Sequence, residues 1–293
     1  MKIDDNLVRR LIASQFPQWK DLSVSPVARS GWDNRTFHLG EEMLVRMPSA
    51  ARYANQVEKE HDWLPRLAPL LPLQIPRPLA MGEPGEGYPW KWSVYCWIEG
   101  EPAASAEIAN LNDFATLLAQ FLIALHSIDS TNGPLPGPHN FYRGGPLAIY
   151  DGETRRAFAI LKDKMDIETA TDLWESALST QWAKRPVWIH GDMSAGNLLV
   201  REGQLRGIID FGQLGIGDPA CDLAITWTLF KDESRKIFRS LLPLDADTWM
   251  RGRAWTLWKA LIYIVDDLTN MNFEAARSWQ IIDEILTDHK SEK

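Results

Sequence analysis

Apolar and polar positions follow two different periods along the chain, and the change falls near residue 100. Before it, the stretch at 22–28 partly alternates between apolar and polar side chains, the stretch at 35–39 alternates, and 43–47 is a short apolar run ended by Pro48, with turn residues between them. Alternation with a period of two is typical of half-buried strands. Successive strands joined by tight turns predict an antiparallel sheet.

One helix and a further strand segment complete the first part of the chain. The spacing over 56–67 predicts a helix that Pro65 kinks or ends, because proline lacks the backbone N–H and its ring clashes with the preceding turn. Residues 88–98 are rich in aromatic and β-branched side chains, which favours one long strand or two short ones. The turn-forming sequence at 99–102 is the best domain boundary.

Helical spacing dominates the rest of the chain. Apolar residues recur three and four positions apart over 106–127, which predicts an amphipathic helix. Further helices are predicted over 152–180, 219–230, 246–268 and 275–288. Short strands are predicted at 187–189, 197–200 and 205–209. The expected class is therefore α+β, with a small antiparallel sheet in residues 1–98 and a mainly helical part in residues 99–293.

Composition and charge exclude several classes of partner. The formal net charge of −8 would repel a duplex nucleic acid, so no nucleic-acid partner is expected. No apolar run is long enough to cross a bilayer, and the acidic N-terminus lacks the apolar region of a signal peptide. The only cysteines are Cys96 and Cys221, which indicates no disulfide framework and favours the reducing cytoplasm.

The strongest chemical signal is a set of polar residues that follows the predicted short strands. His-Gly-Asp at 190–192 is followed by Asn197, and Ile-Asp-Phe-Gly at 209–212 brings a second carboxylate, Asp210. An isolated aspartate in a loop is usually a turn or cap residue. Here two carboxylates and an amide can converge on one metal–phosphate centre, and such hard oxygen ligands suit Mg²⁺.

This pattern resembles a known family. His-Gly-Asp-x4-Asn, the Ile-Asp-Phe-Gly segment and the continuation at 217–224 resemble the aminoglycoside phosphotransferase family, whose members are related to protein kinases and include macrolide phosphotransferases. The likeness covers nearly the whole chain. It implies a protein-kinase-like fold with two lobes. Residues 1–98 would form the nucleotide-binding lobe, and residues 99–293 would form the helical lobe with the catalytic loop and the acceptor site.

The resemblance also implies roles for the residues of the motif. Asp192 would be the catalytic aspartate, which accepts the proton of the acceptor hydroxyl as the phosphoryl group is transferred. Asn197 and Asp210 would hold Mg²⁺ across the nucleotide phosphates. Three residues near the site are expected to have structural roles, namely His190, Asp218 and Asp222.

The first lobe would supply the phosphate-binding groups. Ser30, Gly31 and Asn34 belong to the turn where kinases place a glycine-rich phosphate loop, although this version has one glycine. Arg46 takes the place of the lysine that grips the phosphates in kinases, and an arginine on an apolar strand needs an anionic partner. The helix partner of Arg46 would be Glu60.

Glu58 is the alternative partner of Arg46. Both glutamates could also be solvent-exposed charges on the surface of the helix.

Tyr95, Cys96 and Ile98 resemble the hinge between the lobes, where backbone groups of Cys96 and Ile98 would meet a purine. A bulky Tyr95 in the gatekeeper position leaves the choice between ATP and GTP open.

The acceptor is the least determined part of the prediction. Asp266 and Asp267 end an aromatic-rich helix and are candidates for binding a polycationic aminoglycoside. The same aromatic residues would equally suit a macrolide. An amino alcohol or a sugar is a further candidate for the acceptor. The oligomeric state is also open.

The predicted activity is transfer of the γ-phosphoryl group of ATP or GTP to a hydroxyl of a small molecule, with Mg²⁺. An aminoglycoside or macrolide antibiotic is the favoured acceptor, and resistance is the favoured biological role. The alternatives are a kinase of a housekeeping metabolite and a catalytically inactive, kinase-like nucleotide-binding protein.

Overall fold

The computed structural model describes residues 2–28, 31, 33–270 and 275–291. Its first part holds a five-stranded sheet in the order β1-β2-β3-β5-β4, in which neighbouring strands are antiparallel. The strands are β1 (Val24–Pro26), β2 (Asn34–Leu39), β3 (Met43–Pro48), β4 (Pro78–Gly82) and β5 (Trp92–Cys96). The antiparallel sheet expected from the alternating pattern is therefore confirmed.

Two elements of the first part, β4 and helix α1 (Asp5–Gln15), are missing from the sequence prediction. The expectation of one helix in this part is wrong. Asp4 caps α1, because its side chain accepts a hydrogen bond from the Leu7 N–H at 3.0 Å. The apolar stripe of α1 is narrow, lies between charged residues and becomes buried against the sheet, so packing rather than propensity explains the helix.

Helix α2 (Ala51–Leu67) begins well before the predicted start at residue 56. It ends just beyond Pro65, as the predicted effect of that proline requires. The aromatic segment at 88–98 contributes one strand, β5, rather than two.

Helices dominate the second part. They are α3 (Leu111–Ser127), α4 (Asp151–Leu161), α5 (Ile167–Leu178), α6 (Ile225–Thr228), α7 (Asp232–Leu241), α8 (Ala246–Asn270) and α9 (Ala275–Ser291). The single helix predicted over 152–180 is wrong, because Asp166 caps a second helix, α5, by accepting from the Thr169 N–H at 3.1 Å. The charged helix α7 is also missing from the prediction.

Short strands between α5 and α6 form the framework of the site. They are β7 (Val187–Ile189), β8 (Leu198–Arg201), β9 (Gln204–Ile208) and β10 (Gly215–Gly217), and β6 (Glu101–Pro102) pairs with β8. Strands β8 and β9 form an antiparallel hairpin, and β7 pairs with β10. These pairings bring the segment after β7 beside the ends of the hairpin.

The buried apolar side chains form two clusters. One joins α1 to the five-stranded sheet. The larger one fills the helical part and also takes in Leu64 at the end of α2 and Tyr95 at the end of β5. The hydrophobic core thus continues across residue 98, and a domain boundary there stays a prediction. No helix in the described ranges has the length and apolar character that a bilayer span requires.

Candidate active site

A buried carboxylate from a later segment holds the loop after β7. Asp222 is fully buried, and its side chain accepts hydrogen bonds from the backbone N–H groups of His190 (2.7 Å) and Gly191 (2.8 Å). Gly191 has a φ of +85°, and a Cβ added there would lie 2.4 Å from the carbonyl oxygen of Gln213. Only glycine fits this conformation and this contact, so the loop lies directly against the segment that follows Asp210.

The ring of His190 is buried, and both of its nitrogens contact backbone groups. Nε2 lies 3.0 Å from the carbonyl oxygen of Ile209, and Nδ1 lies 3.2 Å from the backbone nitrogen of Asp192. These partners fit a neutral ring that donates from Nε2 and accepts at Nδ1. The geometry suits the structural role predicted for His190, because neither nitrogen is left to exchange a proton with a ligand.

The carboxylate of Asp192 contacts a lysine that the sequence analysis did not single out. Lys259, on α8, donates to Asp192 Oδ1 at 2.7 Å, and Asn197 Nδ2 lies 3.3 Å from Oδ2. Burial alone would raise the pKa of the Asp192 carboxyl, but the Lys259 ammonium, with a smaller contribution from Arg143, opposes this and the pKa lies below its ordinary value. Asp192 is therefore ionised at neutral pH and able to accept a proton.

Asn197 and Asp210 lie next to each other at the ends of the β8–β9 hairpin. The Ile209 N–H donates to the carbonyl oxygen of Asn197 at 2.9 Å, and Asn197 Nδ2 donates to the carbonyl oxygen of Asp192 at 2.9 Å. Since the amide nitrogen of Asn197 is engaged, its side-chain oxygen is the atom left for a ligand. Asp210 has a φ of +66°, in the left-handed region that aspartate adopts more readily than most residues.

The two side chains fit Mg²⁺ by their chemistry. One carboxylate and one amide oxygen are hard ligands, and Mg²⁺ usually takes one or two protein oxygens together with phosphate oxygens and water. Within the described ranges no group of three or more His, Cys, Asp or Glu side chains could hold a metal ion alone. Any ion held by Asn197 and Asp210 would thus need phosphate or water to complete its shell.

Arg46, on strand β3 of the sheet, forms an ion pair with Asp210. Its guanidinium lies 3.2 Å from Glu60 Oε1 and 2.7 Å from Asp210 Oδ1, and the Tyr95 hydroxyl donates to Glu60. Burial by itself would lower the pKa of Arg46, but Glu60 and Asp210 together raise it. The predicted pairing of Arg46 with Glu60 is present, whereas the alternative partner, Glu58, pairs with Lys91.

A cavity of about 680 Å³ brings most of the predicted nucleotide-binding residues together. Those that line it are Gly31, Asn34, Arg46, Tyr95, Cys96 and Ile98, with the predicted metal ligands Asn197 and Asp210. Glu60 lies behind this lining and contacts Arg46 and Tyr95. Ser30 lies outside the described residues. Asp33 also lines the cavity, and burial and the nearby Asp210 raise its pKa.

A second cavity, of about 290 Å³, lies beside Asp192 between the loop at 190–197 and helices α8 and α9. Its described lining includes Lys259, Tyr263 and Arg277 but neither Asp266 nor Asp267. Both aspartates follow Tyr263 on α8, beyond the turns that face the cavity. Asp266 is exposed, and Asp267 is half-buried with an Oδ1 that has no partner among the described residues. Their proposed role in acceptor binding stays a prediction.

The last predicted structural residue, Asp218, forms a buried ion pair. Its Oδ2 lies 2.6 Å from Nε of Arg251 on α8, and its Oδ1 accepts from the Ala220 N–H at 3.0 Å. Asp218 thus caps the 3₁₀ turn that carries Asp222 and ties this turn to α8. Both aspartates hold backbone in place behind the site, which suits the structural roles predicted for them.

Three known proteins with similar sequences are aminoglycoside 3'-phosphotransferases. An aminoglycoside 3'-phosphotransferase of Salmonella typhimurium is 30% identical over 131 residues, which are 42% of this chain and 46% of that protein. An aminoglycoside 3'-phosphotransferase of Escherichia coli is 42% identical over 65 residues, which are 22% of this chain and 24% of that protein. The chain thus spans less than half the length of these curated relatives.

Solved structures extend the likeness to the whole fold. The GDP complex of wild-type aminoglycoside 2'-phosphotransferase-IIIa superposes with a TM-score of 0.70 at 18% identity, covering 98% of this chain and 99% of that one. The macrolide 2'-phosphotransferase of Brachybacterium faecium gives a TM-score of 0.64 at 17% identity, with 94% and 98% covered. These similarities confirm the predicted kinase-like α+β fold.

A sequence model of the phosphotransferase enzyme family matches residues 24–255, which include the five-stranded sheet, the loop at 190–197 and the first turns of α8. The resemblance that the motifs indicate is confirmed, and the chain belongs to the phosphotransferase enzyme family.

Proposed function

We propose that the protein transfers the γ-phosphoryl group of ATP or GTP to a hydroxyl of a small molecule, with Mg²⁺. One observation carries the proposal: Gly196, in the loop between Asp192 and Asn197, lines both cavities. Asn197 and Asp210 line the larger cavity, and Asp192 lines the smaller one. A nucleotide in the first cavity and a hydroxyl in the second would therefore approach each other at this loop.

The larger cavity suits a nucleoside triphosphate. Its volume of about 680 Å³ is adequate for such a ligand, and the segment 95–98 offers apolar side chains on its wall for a purine. Arg46 supplies a cation that can bind phosphate with two hydrogen bonds. Solved members of the same fold contain GDP, ADP or ATP, which supports a nucleotide donor without deciding between adenine and guanine.

Asn197 and Asp210 would hold Mg²⁺, which when bound neutralises phosphate charge. Arg46 would keep Asp210 in position and bind the phosphates next to it. Asp192 would accept a hydrogen bond from the acceptor hydroxyl. As the hydroxyl oxygen bonds to the γ-phosphorus, the bond from that phosphorus to the bridging β–γ oxygen breaks, and the hydroxyl proton passes to Asp192.

The chemical class of the acceptor distinguishes between the candidate biological roles of the protein. Neighbours of the same fold bind kanamycin or streptomycin, and others are macrolide phosphotransferases, so inactivation of an antibiotic is one candidate. A metabolite kinase is the other active candidate. An inactive nucleotide-binding protein is disfavoured, because Asp192, Asn197 and Asp210 are all retained and lie together.

The unpaired Cys96 and Cys221 fit a reducing compartment, and we propose the cytoplasm.

The proposal is tested by incubating the protein with Mg²⁺ and ATP or GTP in the presence of single hydroxylated compounds. Nucleoside diphosphate should form only when a suitable acceptor is added, and ³¹P NMR should show a phosphate monoester on that acceptor. Omission of Mg²⁺ should stop the reaction. Phosphate release without nucleotide would instead indicate a hydrolase, and binding of nucleotide with no transfer to any acceptor would indicate an inactive member of the family.

Replacement of Lys259 by methionine should change the pH dependence of the reaction. Lys259 lowers the pKa of Asp192 more than any other side chain, so its removal leaves burial opposed mainly by Arg143 and raises that pKa. Asp192 must be ionised to accept the proton, and the acidic limb of the kcat/KM profile should therefore move to higher pH. Lys259→Arg keeps the charge and should hold the limb near its original position. An unchanged limb in Lys259→Met would contradict this role.

A further inference from the structure

We propose that the acceptor carries an oxyanion, a carboxylate or a phosphate, close to the hydroxyl that is phosphorylated. This inference rests on the proposed phosphotransfer and identifies the substrate class of the smaller cavity. Arg277 and Lys259 would bind the oxyanion, so the favoured substrates are small hydroxy acids or sugar phosphates rather than polycationic aminoglycosides.

The charge of the smaller cavity points away from a polycation. Among the described residues that line it, the charged ones are Asp192, Lys259 and Arg277. The single carboxylate is already paired with Lys259 at 2.7 Å. A polycationic acceptor would meet an arginine guanidinium that pairs with no carboxylate of the described residues, and a carboxylate that is already neutralised, and it would gain little from either. The charged residues in the described part of the lining give an oxyanion a net positive surface.

Arg277 is held in a position that suits oxyanion binding. It lies on α9, and one Nη2–H donates to the carbonyl oxygen of Thr228 at 2.8 Å. Thr228 itself lines the cavity, so this bond fixes the guanidinium at the cavity wall. A guanidinium has five N–H donors, and those that remain can form the paired hydrogen bonds that carboxylate and phosphate oxygens accept. The side chain is exposed and within reach of a ligand.

Lys259 allows an anion to approach the catalytic aspartate. A free carboxylate at Asp192 would repel an acidic acceptor over the few ångströms that separate the hydroxyl from its acidic group. The ammonium of Lys259 removes most of this repulsion, since it lies 2.7 Å from Asp192 Oδ1. An ammonium has three N–H donors, so further donors of Lys259 remain for the ligand.

The size of the cavity supports a small acceptor. Its volume of about 290 Å³ lies just below the usual range for ligand pockets, about 300–1,000 Å³. Hydroxyl-bearing side chains on its wall can bind the rest of a polyhydroxylated molecule, namely Ser194, Thr228, Thr256, Tyr263 and Ser278. A macrolide ring or a three-ring aminoglycoside would extend well outside this space.

The experiment compares acceptors that differ in the acidic group. D-glycerate is paired with glycerol, D-gluconate with D-glucose, and glucose 1-phosphate with methyl glucoside, and kanamycin and erythromycin complete the panel. Acceptor-dependent release of nucleoside diphosphate is measured for the wild type, for Arg277→Gln and for Arg201→Gln. Arg201 is an exposed arginine on the β8–β9 hairpin, outside both cavities, and serves as the matched control.

We expect each active acid to react faster than its neutral partner. Arg277→Gln should raise the KM of the acid by about 10- to 100-fold, the usual effect of losing a charge-assisted pair of hydrogen bonds, while Arg201→Gln should leave it unchanged. Arg277→Glu should abolish the preference for the acid.

Efficient phosphorylation of kanamycin, erythromycin or the neutral compounds, with no effect of Arg277→Gln, would overturn the inference and leave the proposed function standing. If no acceptor in the panel and neither nucleotide gave transfer, both the inference and the proposed function would fall. The two failures are therefore distinguishable.

Discussion

Replacement of Asp192 by asparagine is expected to reduce kcat by about 100- to 10,000-fold, the usual contribution of a general base. The amide has the shape of the carboxylate, but it cannot take up the proton of the acceptor hydroxyl. Asp192 lines the smaller cavity and not the larger one, so nucleotide binding should persist. Steady-state kinetics gives kcat, and calorimetric titration with Mg²⁺ and nucleotide gives the dissociation constant.

The matched control is Asp247→Asn, which removes an exposed aspartate from the first turn of α8. It should leave both kcat and nucleotide affinity unchanged. Turnover at the wild-type rate in Asp192→Asn would exclude Asp192 as the base. Loss of nucleotide binding in that variant, with an unaltered fold, would mean that Asp192 acts on the nucleotide side of the loop.

The loop at 190–197 could be predicted as a candidate site because its signals are local. Gly191 and Asp192 are adjacent, and Asn197 follows within the same loop, so spacing alone indicated one site. The pairing of Arg46 with Glu60 could also be predicted, because β3 and α2 are consecutive elements and a charged residue between apolar ones needs a counterion. In both cases a short stretch of chain contains the partners.

The residues that the sequence did not indicate depend on distant contacts. Lys259 follows Asp192 by 67 positions and reaches it only because α8 packs against the turn that carries Asp222. The sequence does show a lysine among the apolar residues of α8. A buried ammonium needs an anionic partner, so this position could have indicated a contact with a carboxylate. Arg277 offered no such signal, because its cavity exists only where α8 and α9 pack together.

The errors in secondary structure have the same origin. Helices α1 and α7 carry many charged residues, and their short apolar stripes become buried only against the rest of the fold. Residues 152–180 form two helices, α4 and α5, because Asp166 caps the start of the second one. The cap is a local signal, but the apolar spacing is helical on both sides of it, so the sequence pattern predicted one helix. The periodicity of apolar residues identifies the buried face of a helix, but the element that packs against this face depends on the tertiary structure.

The position of Arg46 links stability to ligand binding. Glu60 is buried, with 3% of its side chain exposed, and its partners are Arg46 and the Tyr95 hydroxyl. The same guanidinium holds Asp210, which is 36% exposed and can turn towards a ligand. One arginine therefore neutralises a structural carboxylate and presents a second one to the larger cavity, so its removal should have two separable effects.

Arg46→Met is expected to lower the free energy of unfolding by about 3–5 kcal/mol, because it leaves Glu60 buried without a counterion. It should also weaken nucleotide binding by about 10- to 100-fold through loss of a charged contact with phosphate. Urea unfolding measures the first effect and calorimetry the second. Arg46→Lys restores the charge and should recover part of both.

The double variant Arg46→Met with Glu60→Gln separates the two effects, since the neutral amide no longer needs a cation. It should recover most of the stability lost in Arg46→Met but none of the nucleotide affinity. If Arg46→Met unfolded at the same urea concentration as the wild type, the ion pair with Glu60 would have no net structural role. If the double variant regained nucleotide binding, Arg46 would act only through Glu60 and would not contact phosphate.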